Sequence, residues 1–317
     1  PLPIFTVEPA PNPPVVRDDR DALARDAFVI LSYLRNNDVR TRKGILAARE
    51  LARVRPRLVG TQDPQRLLFL HHLCAQTGLI DREEGLWKPT HAAATWLKEG
   101  ALARHRSFYH AWLEDPHWNE LWMMPGVRCE DTGWHNDPVL ARKGALSYLV
   151  QCPVDTWLTT ASFVESVHEV DPDFMRPDGD YDSWYISDAQ AGHYLTGYSN
   201  WERVEGALIR YLLEQPLLWL GLVAIGYPQE EQRNSRFMLT ALGAAILGLR
   251  EVEESPARCI VVQANLQVTV PSETSWYDRF LLERFARWVD EQQGVARYVI
   301  NAGSVRACLQ SGVTVKQ

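Results

Sequence analysis

The sequence predicts a mostly α protein with small β elements, an α+β fold, and three observations carry that expectation. Apolar residues recur at helical spacing through most of the first 250 positions. Two separate stretches, 78–97 and 221–247, share one plan: a short apolar strand, a charged turn, a second short strand and a Thr-capped helix. A third stretch, "CIVVQANLQVTV" at 259–270, alternates with period two and reads as a long strand with one face on a core.

Composition sets the bounds. A chain of 317 residues with 46% apolar and 23% charged content has material for two or three globular cores. No apolar run approaches the roughly 20 residues that span a bilayer, and no basic-plus-apolar leader opens the sequence. Five scattered cysteines (Cys74, Cys129, Cys152, Cys259, Cys308) form no disulfide framework, so the expected setting is a reducing cytoplasm. A net charge of −7 disfavours a general polyanion binder, but the charge is unevenly spread. Residues 24–100 carry 13 Lys+Arg against 8 Asp+Glu, a net of +5, whereas 101–258 carry 12 against 23, a net of −11. Only the first of these can attract phosphate on charge alone. The second reads as a solvated acidic body or one that faces a basic partner.

The elements follow in order. The opening "PLPIFTVEPAPNPP" has six prolines in fourteen residues, which predicts an extended arm without hydrogen-bonded structure over 1–20. From 21 to 100 the pattern predicts three helices and a hairpin. Leu23, Ala27, Ile30, Leu31 and Leu34 share one face of the first helix. "TRKGILAARELARV" gives the second, and "DPQRLLFLHHLCAQTG" the third, with Asp63 as N-cap and Gly78 as C-cap. Three helices and a two-stranded hairpin make the winged helix-turn-helix plan. A Trp- and His-rich helical connector fills 101–149. A second unit of the same plan spans 150–254. Leu79 matches Leu222, Trp87 matches Phe237, Thr90 matches Thr240, and Trp96-Leu97 match Ile246-Leu247. The second hairpin tip is seven residues longer, and the two copies read as an internal duplication.

The last segment, 255–317, predicts a small β-α-β-α domain. Its long strand is followed by a helix in "PSETSWYDRFLLERFARWVDEQQG", with Tyr277, Phe280, Leu281, Phe285, Trp288 and Val289 on one face. Ser275 and Asp278 give that helix a capping-box-like start and Gly294 a natural stop. A strand at 296–300 and a short helix at 304–312 complete the unit.

Candidate chemistry is sparse. "VRTRKGILAARELARVRPR" carries Arg40, Arg42, Lys43, Arg49, Arg53, Arg55 and Arg57 against the single acid Glu50. Basic groups four apart share a helix face and can track a phosphate backbone. The alternative is a solvated face whose arginines pair with local acids. Trp112, Trp118, Trp122 and Trp134 in the connector could stack on bases, but neighbouring Glu114, Asp115 and Glu120 favour core packing. His105, His110, His117, Cys129 and His135 lack any known zinc spacing. "DPDFMRPDGDYD" misplaces Gly179 and lacks the closing Glu of an EF-hand, so it reads as an acidic surface loop. No phosphate loop, dinucleotide fingerprint or nucleophile elbow is present, and no cofactor is expected.

The final segment resembles a known module. The residues Val262, Gln263, Asn265, Val268, Phe285, Ala286, Tyr298, Ile300, Ser304 and Gly312 resemble the helicase-associated domain in the N-terminal region of XPB-type DNA helicases. The resemblance covers about 259–312, and the tandem winged-helix plan upstream is similar to that of bacterial proteins carrying this module. It implies a role in nucleic-acid transactions beside a helicase, and no ATP hydrolysis, because the motor's motifs are absent from these residues. The expectation is a non-enzymatic accessory protein whose basic first winged helix touches duplex or forked DNA, or which works with a DNA-processing protein. The competing expectation is a protein-interaction scaffold whose winged helices dock partners.

Overall fold

The computed structural model describes residues 3–40, 46–228, 234–253 and 255–310. They form a mixed α/β protein in two compact units, one built from 1–23 and 105–252, the other from 24–104 and 253–317. The first unit carries 12 Lys+Arg against 25 Asp+Glu, a net of −13, and the second carries 21 against 15, a net of +6. They are called here the acidic and the basic unit.

The chain begins with β1 (Val15–Arg17) and α1 (Ala22–Asn36). Next come α2 (Ala48–Val54), a 3-10 turn at Arg55–Arg57, α3 (Pro64–Gln76), the hairpin β2 (Ile80–Glu83) and β3 (Leu86–Pro89), and α4 (His91–Lys98). The former connector holds α5 (Ala101–Leu113), α6 (Glu120–Met123), β4 (Val127–Cys129) and α7 (Pro138–Leu149). Then follow β5 (Leu158–Thr159), α8 (Thr160–Val170), β6 (Ile186–Asp188), α9 (Trp201–Leu212), β7 (Val223–Tyr227), β8 (Arg236–Leu239) and α10 (Ala241–Ile246). The chain closes with β9 (Val261–Val262), β10 (Gln267–Val270), α11 (Trp276–Leu282), β11 (Arg287–Gln292), β12 (Val295–Val299) and α12 (Ala302–Gln310).

In the acidic unit the sheet order is β1-β7-β8-β5, all antiparallel. The Pro-rich arm is therefore hydrogen-bonded, contrary to the expectation of an unpaired stretch. Prolines cannot donate to a ladder, but Val15 to Arg17 can, and they form an edge strand on Ile225–Tyr227. Further back, the Ala10 N–H reaches the Trp157 carbonyl at 2.8 Å, and Phe5 packs edge-on against Phe163 with centroids 5.6 Å apart. Gly226 makes room for the arm, since a Cβ there would lie 2.1 Å from Pro13 Cγ.

The two stretches aligned in the sequence share a backbone device. The Leu79 N–H bonds the Cys74 carbonyl, and that of Leu222 bonds the Leu217 carbonyl, after Gly78 and Gly221 at φ +68° and +77°. The Thr90 N–H then bonds Leu79, and that of Thr240 bonds Leu222, both at 3.0 Å. Each threonine hydroxyl donates to the preceding glycine carbonyl and accepts from its helix, α4 or α10. The longer second tip falls largely on 229–233, outside the described residues.

The C-terminal segment departs from the β-α-β-α expectation. Residues 259–270 are a hairpin, not one strand: Gln263 N–H bonds the Gln267 carbonyl at 2.8 Å, Asn265 Oδ1 accepts the Gln267 N–H at 3.0 Å, and Leu266 sits at φ +62°. The helix stops at Leu282, and Arg287–Gln292 is a strand paired with β12, with a register shift between Trp288 and Asp290. The result is β-β-α-β-β-α, with sheet order β11-β12-β10-β9. Val268, Val270, Leu282, Ala286, Ala296 and Tyr298 form its core.

Candidate nucleic-acid interface

In the basic unit, α1 and α3 are locked by a buried ion pair. Arg66 Nη1 lies 2.7 Å from Asp26 Oδ2, with both side chains 0% exposed, and Asp26 also accepts the Val59 and Gly60 N–H groups. Gly60 is required here because a Cβ would lie 2.0 Å from the Arg66 guanidinium. Arg66 is thus internal, and α3 holds no other Arg or Lys.

The expected phosphate-contacting residues divide into three groups. Arg42 and Lys43 lie outside the described residues. Arg40, Arg49, Arg53 and Arg55 are exposed, and Arg49 and Arg53 stand four apart on α2. The hydrogen-bond partners of the last two are neutral: Arg53 Nη1 reaches the Tyr33 hydroxyl at 3.5 Å, and Arg55 donates to the Gln62 side chain. Arg57 is different. Its guanidinium is taken up by Glu283 through both carboxylate oxygens, one bond measuring 3.0 Å.

Glu283 was not foreseen as a site residue, and it organises this face. Its carboxylate, 4% exposed, also accepts the Ser32 hydroxyl and, at 2.5 Å, the Tyr298 hydroxyl. Tyr298 accepts from Arg279 Nε at 2.7 Å, and Arg279 bonds Glu291 at 2.8 Å, which Arg25 also contacts. Arg35 donates to the Phe280 carbonyl and lies 3.6 Å above that ring. Burial lowers the Arg35 pKa to about 10, still well above neutral pH. The sequence held one signal for Glu283: an acid between Leu282 and Phe285 in an apolar run needs a buried partner.

Two groups make this unit acid-sensitive. Burial lowers His71 to about 4, aided by His72 and Arg82, and its ring meets Trp87 edge-on at 4.7 Å. A depressed imidazole contributes stability above its ordinary 6.5, which is lost as pH falls toward 4. Burial pushes the Glu283 carboxyl up, but Arg57, Ser32 and Tyr298 outweigh it and hold the group below the ordinary range. Its contribution is present above about pH 4.5 and is lost as pH falls through that lower value. Urea midpoints measured from pH 7 to 4 are expected to fall. In His71→Gln the part of that fall due to His71, roughly 2–3 kcal/mol, disappears; an unchanged pH profile would refute the assignment.

In the acidic unit the tryptophans sort by burial. Trp112 and Trp118 are core, and both help to enclose Arg142, which is 0% exposed and paired with Glu120. Trp122 and Trp134 instead form a ladder with Trp184: centroids are 5.6 and 5.3 Å apart and planes 24° and 18° apart. The ladder hangs on the β4–β6 pair and on the acidic loop, which is tied down by buried Arg176, itself paired with Glu205. Among the described residues no three His, Cys, Asp or Glu side chains gather as a metal site. His105 faces Asp21 at 3.6 Å, and His117 and His135 line a surface cleft.

No protein-family model matches the chain, and no curated protein matches it. The likeness to the helicase-associated domain rests on the quoted residues alone. Of these, Gln263 and Asn265 form the β9–β10 turn, Tyr298 holds Glu283, and Gly312 lies outside the described residues. No helix among the described residues is long and apolar enough to cross a membrane.

Proposed function

We propose a non-catalytic accessory protein of nucleic-acid transactions that contacts DNA phosphates through its basic unit. In this reading the two helix–hairpin–helix segments are winged-helix units, and the C-terminal segment is a helicase-associated module packed as part of the first. One observation carries it: Arg40, Arg49, Arg53 and Arg55 are exposed around α2, and among the described residues none of them has an acid within salt-bridge distance, on a unit of net +6. With Arg66 internal, α3 supplies no other Arg or Lys, and the contact read here is with the phosphate backbone.

The full chain is expected to bind duplex or forked DNA with an affinity that falls steeply with salt. Each phosphate contact adds about 0.9 to the log–log salt slope. Changing Arg53 and Arg55 together to Ala is expected to weaken binding, flatten that slope by roughly 2, and leave the unfolding midpoint unchanged. Absence of binding at low salt, or binding indifferent to the double change, sinks the reading. The scaffold reading would then stand, favoured by the net −13 of the acidic unit and by Trp122, exposed at one end of its aromatic ladder.

A further inference from the structure

The Trp122–Trp134–Trp184 ladder is finished differently at its two ends. At the inner end the Arg176 guanidinium lies 3.9 Å from the Trp184 centroid. At the outer end Trp122 stacks on Trp134 with one face, is 41% exposed, and lines an open cleft of about 500 Å³. The wall of this cleft is fixed. Asn119 and Asn136 exchange side-chain hydrogen bonds at 2.9 and 3.1 Å, and the Trp122 indole N–H donates to Asn136 Oδ1 at 3.2 Å. With its N–H engaged inside the protein, Trp122 has only its π face to offer a ligand.

The charge around it selects the ligand. Residues 107–141 contain one basic residue, Arg128, and six acids. Asp115 and Glu120 are buried and Glu114 pairs with Lys143, which leaves Glu130, Asp131 and Asp137 against Arg128, an acidic excess in the stretch of chain that carries Trp122 and Trp134. A polyanion is repelled there, whereas a cation is attracted both by the acids and by the indole quadrupole.

We propose that this cleft docks an arginine-bearing basic segment of a partner protein, one guanidinium stacking on the outer face of Trp122 as Arg176 stacks on Trp184. Arginine fits better than lysine because its planar, weakly hydrated group lies flat on a ring while its N–H groups keep their hydrogen bonds. The site is independent of the nucleic-acid reading, lying in the other unit.

The test titrates the full chain at low salt with a hexa-arginine peptide, a hexa-lysine peptide and neutral maltohexaose, following tryptophan fluorescence and heat. Hexa-arginine is expected to bind several-fold tighter than hexa-lysine, and Trp122→Ala to weaken it about tenfold. Trp122→Phe, which keeps an aromatic face, is expected to retain most of the affinity. Equal affinity for the two peptides overturns the proposal without recourse to any variant, because bulk charge alone would then explain binding. Hexa-arginine binding that Trp122→Ala leaves unchanged, or saturable binding of maltohexaose alone, also overturns it.

Discussion

Replacing Arg57 with Ala is expected to cost the basic unit about 3–5 kcal/mol, the usual result of removing one partner of a buried ion pair. Its guanidinium faces a carboxylate that is 4% exposed and whose remaining partners, Ser32 and Tyr298, are neutral. Without Arg57, Glu283 keeps its hydrogen bonds to Ser32 and Tyr298 but loses its directly bonded counter-charge, leaving only the more distant fields of Arg35 and Arg279 against its burial. With urea m-values of about 1–3 kcal/mol/M, the midpoint drops by at least 1 M or so. Glu283→Gln is expected to be destabilising too, and the double variant to cost far less than the sum, since the two side chains act as one unit. A loss under about 1 kcal/mol would place Arg57 with ordinary surface pairs and refute the assignment. This bears on the DNA test. Weaker binding by a variant that includes Arg57 reports on folding, so Arg53 and Arg55 are the residues whose loss speaks to phosphate contact.

What could be read from the sequence divides along the range of the interactions. The two strand–turn–strand–helix devices were legible because the groups that build them lie within about twenty residues of each other: Gly78 with Thr90, Gly221 with Thr240. The C-terminal strands were not. Alternation at 259–270 runs in phase through a turn that carries no Gly or Pro, so Leu266 gives no hint of its positive φ. Trp288 and Val289 fit a helical face by spacing, yet pairing of β11 with β12 holds them in a strand. The same holds for the candidate site. Seven basic residues were visible as a cluster, but what distinguishes Arg57 from Arg53 is a carboxylate 226 positions away. In the same way the connector tryptophans were visible, but the ladder also needs Trp184, which stacks on Trp134 where β6 pairs with β4.

Arg142→Met is expected to destabilise the acidic unit by at least about 3–5 kcal/mol. Arg142 is 0% exposed, and its three nitrogens serve Glu120 at 3.0 to 3.1 Å and the carbonyls of Trp112, Asp115 and Trp118. One side chain thus ties together the turn between α5 and α6: the Trp112 carbonyl also accepts the Asp115 N–H at 3.2 Å, but those of Asp115 and Trp118 depend on Arg142. Methionine fills much of the volume but donates nothing. Burial raises the Glu120 carboxyl above its ordinary value even with Arg142 beside it. Removing the guanidinium raises it further, so in the variant the buried group takes up a proton that the unfolded chain releases. A folded-state pKa raised above the unfolded one gives stability that is present at low pH and lost as pH rises. The deficit of Arg142→Met relative to wild type is therefore expected to be smaller at pH 5 than at pH 8, and Glu120→Gln in the Met background to remove that pH dependence. A deficit independent of pH would mean that the lost carbonyl bonds, not the stranded Glu120 charge, carry the cost.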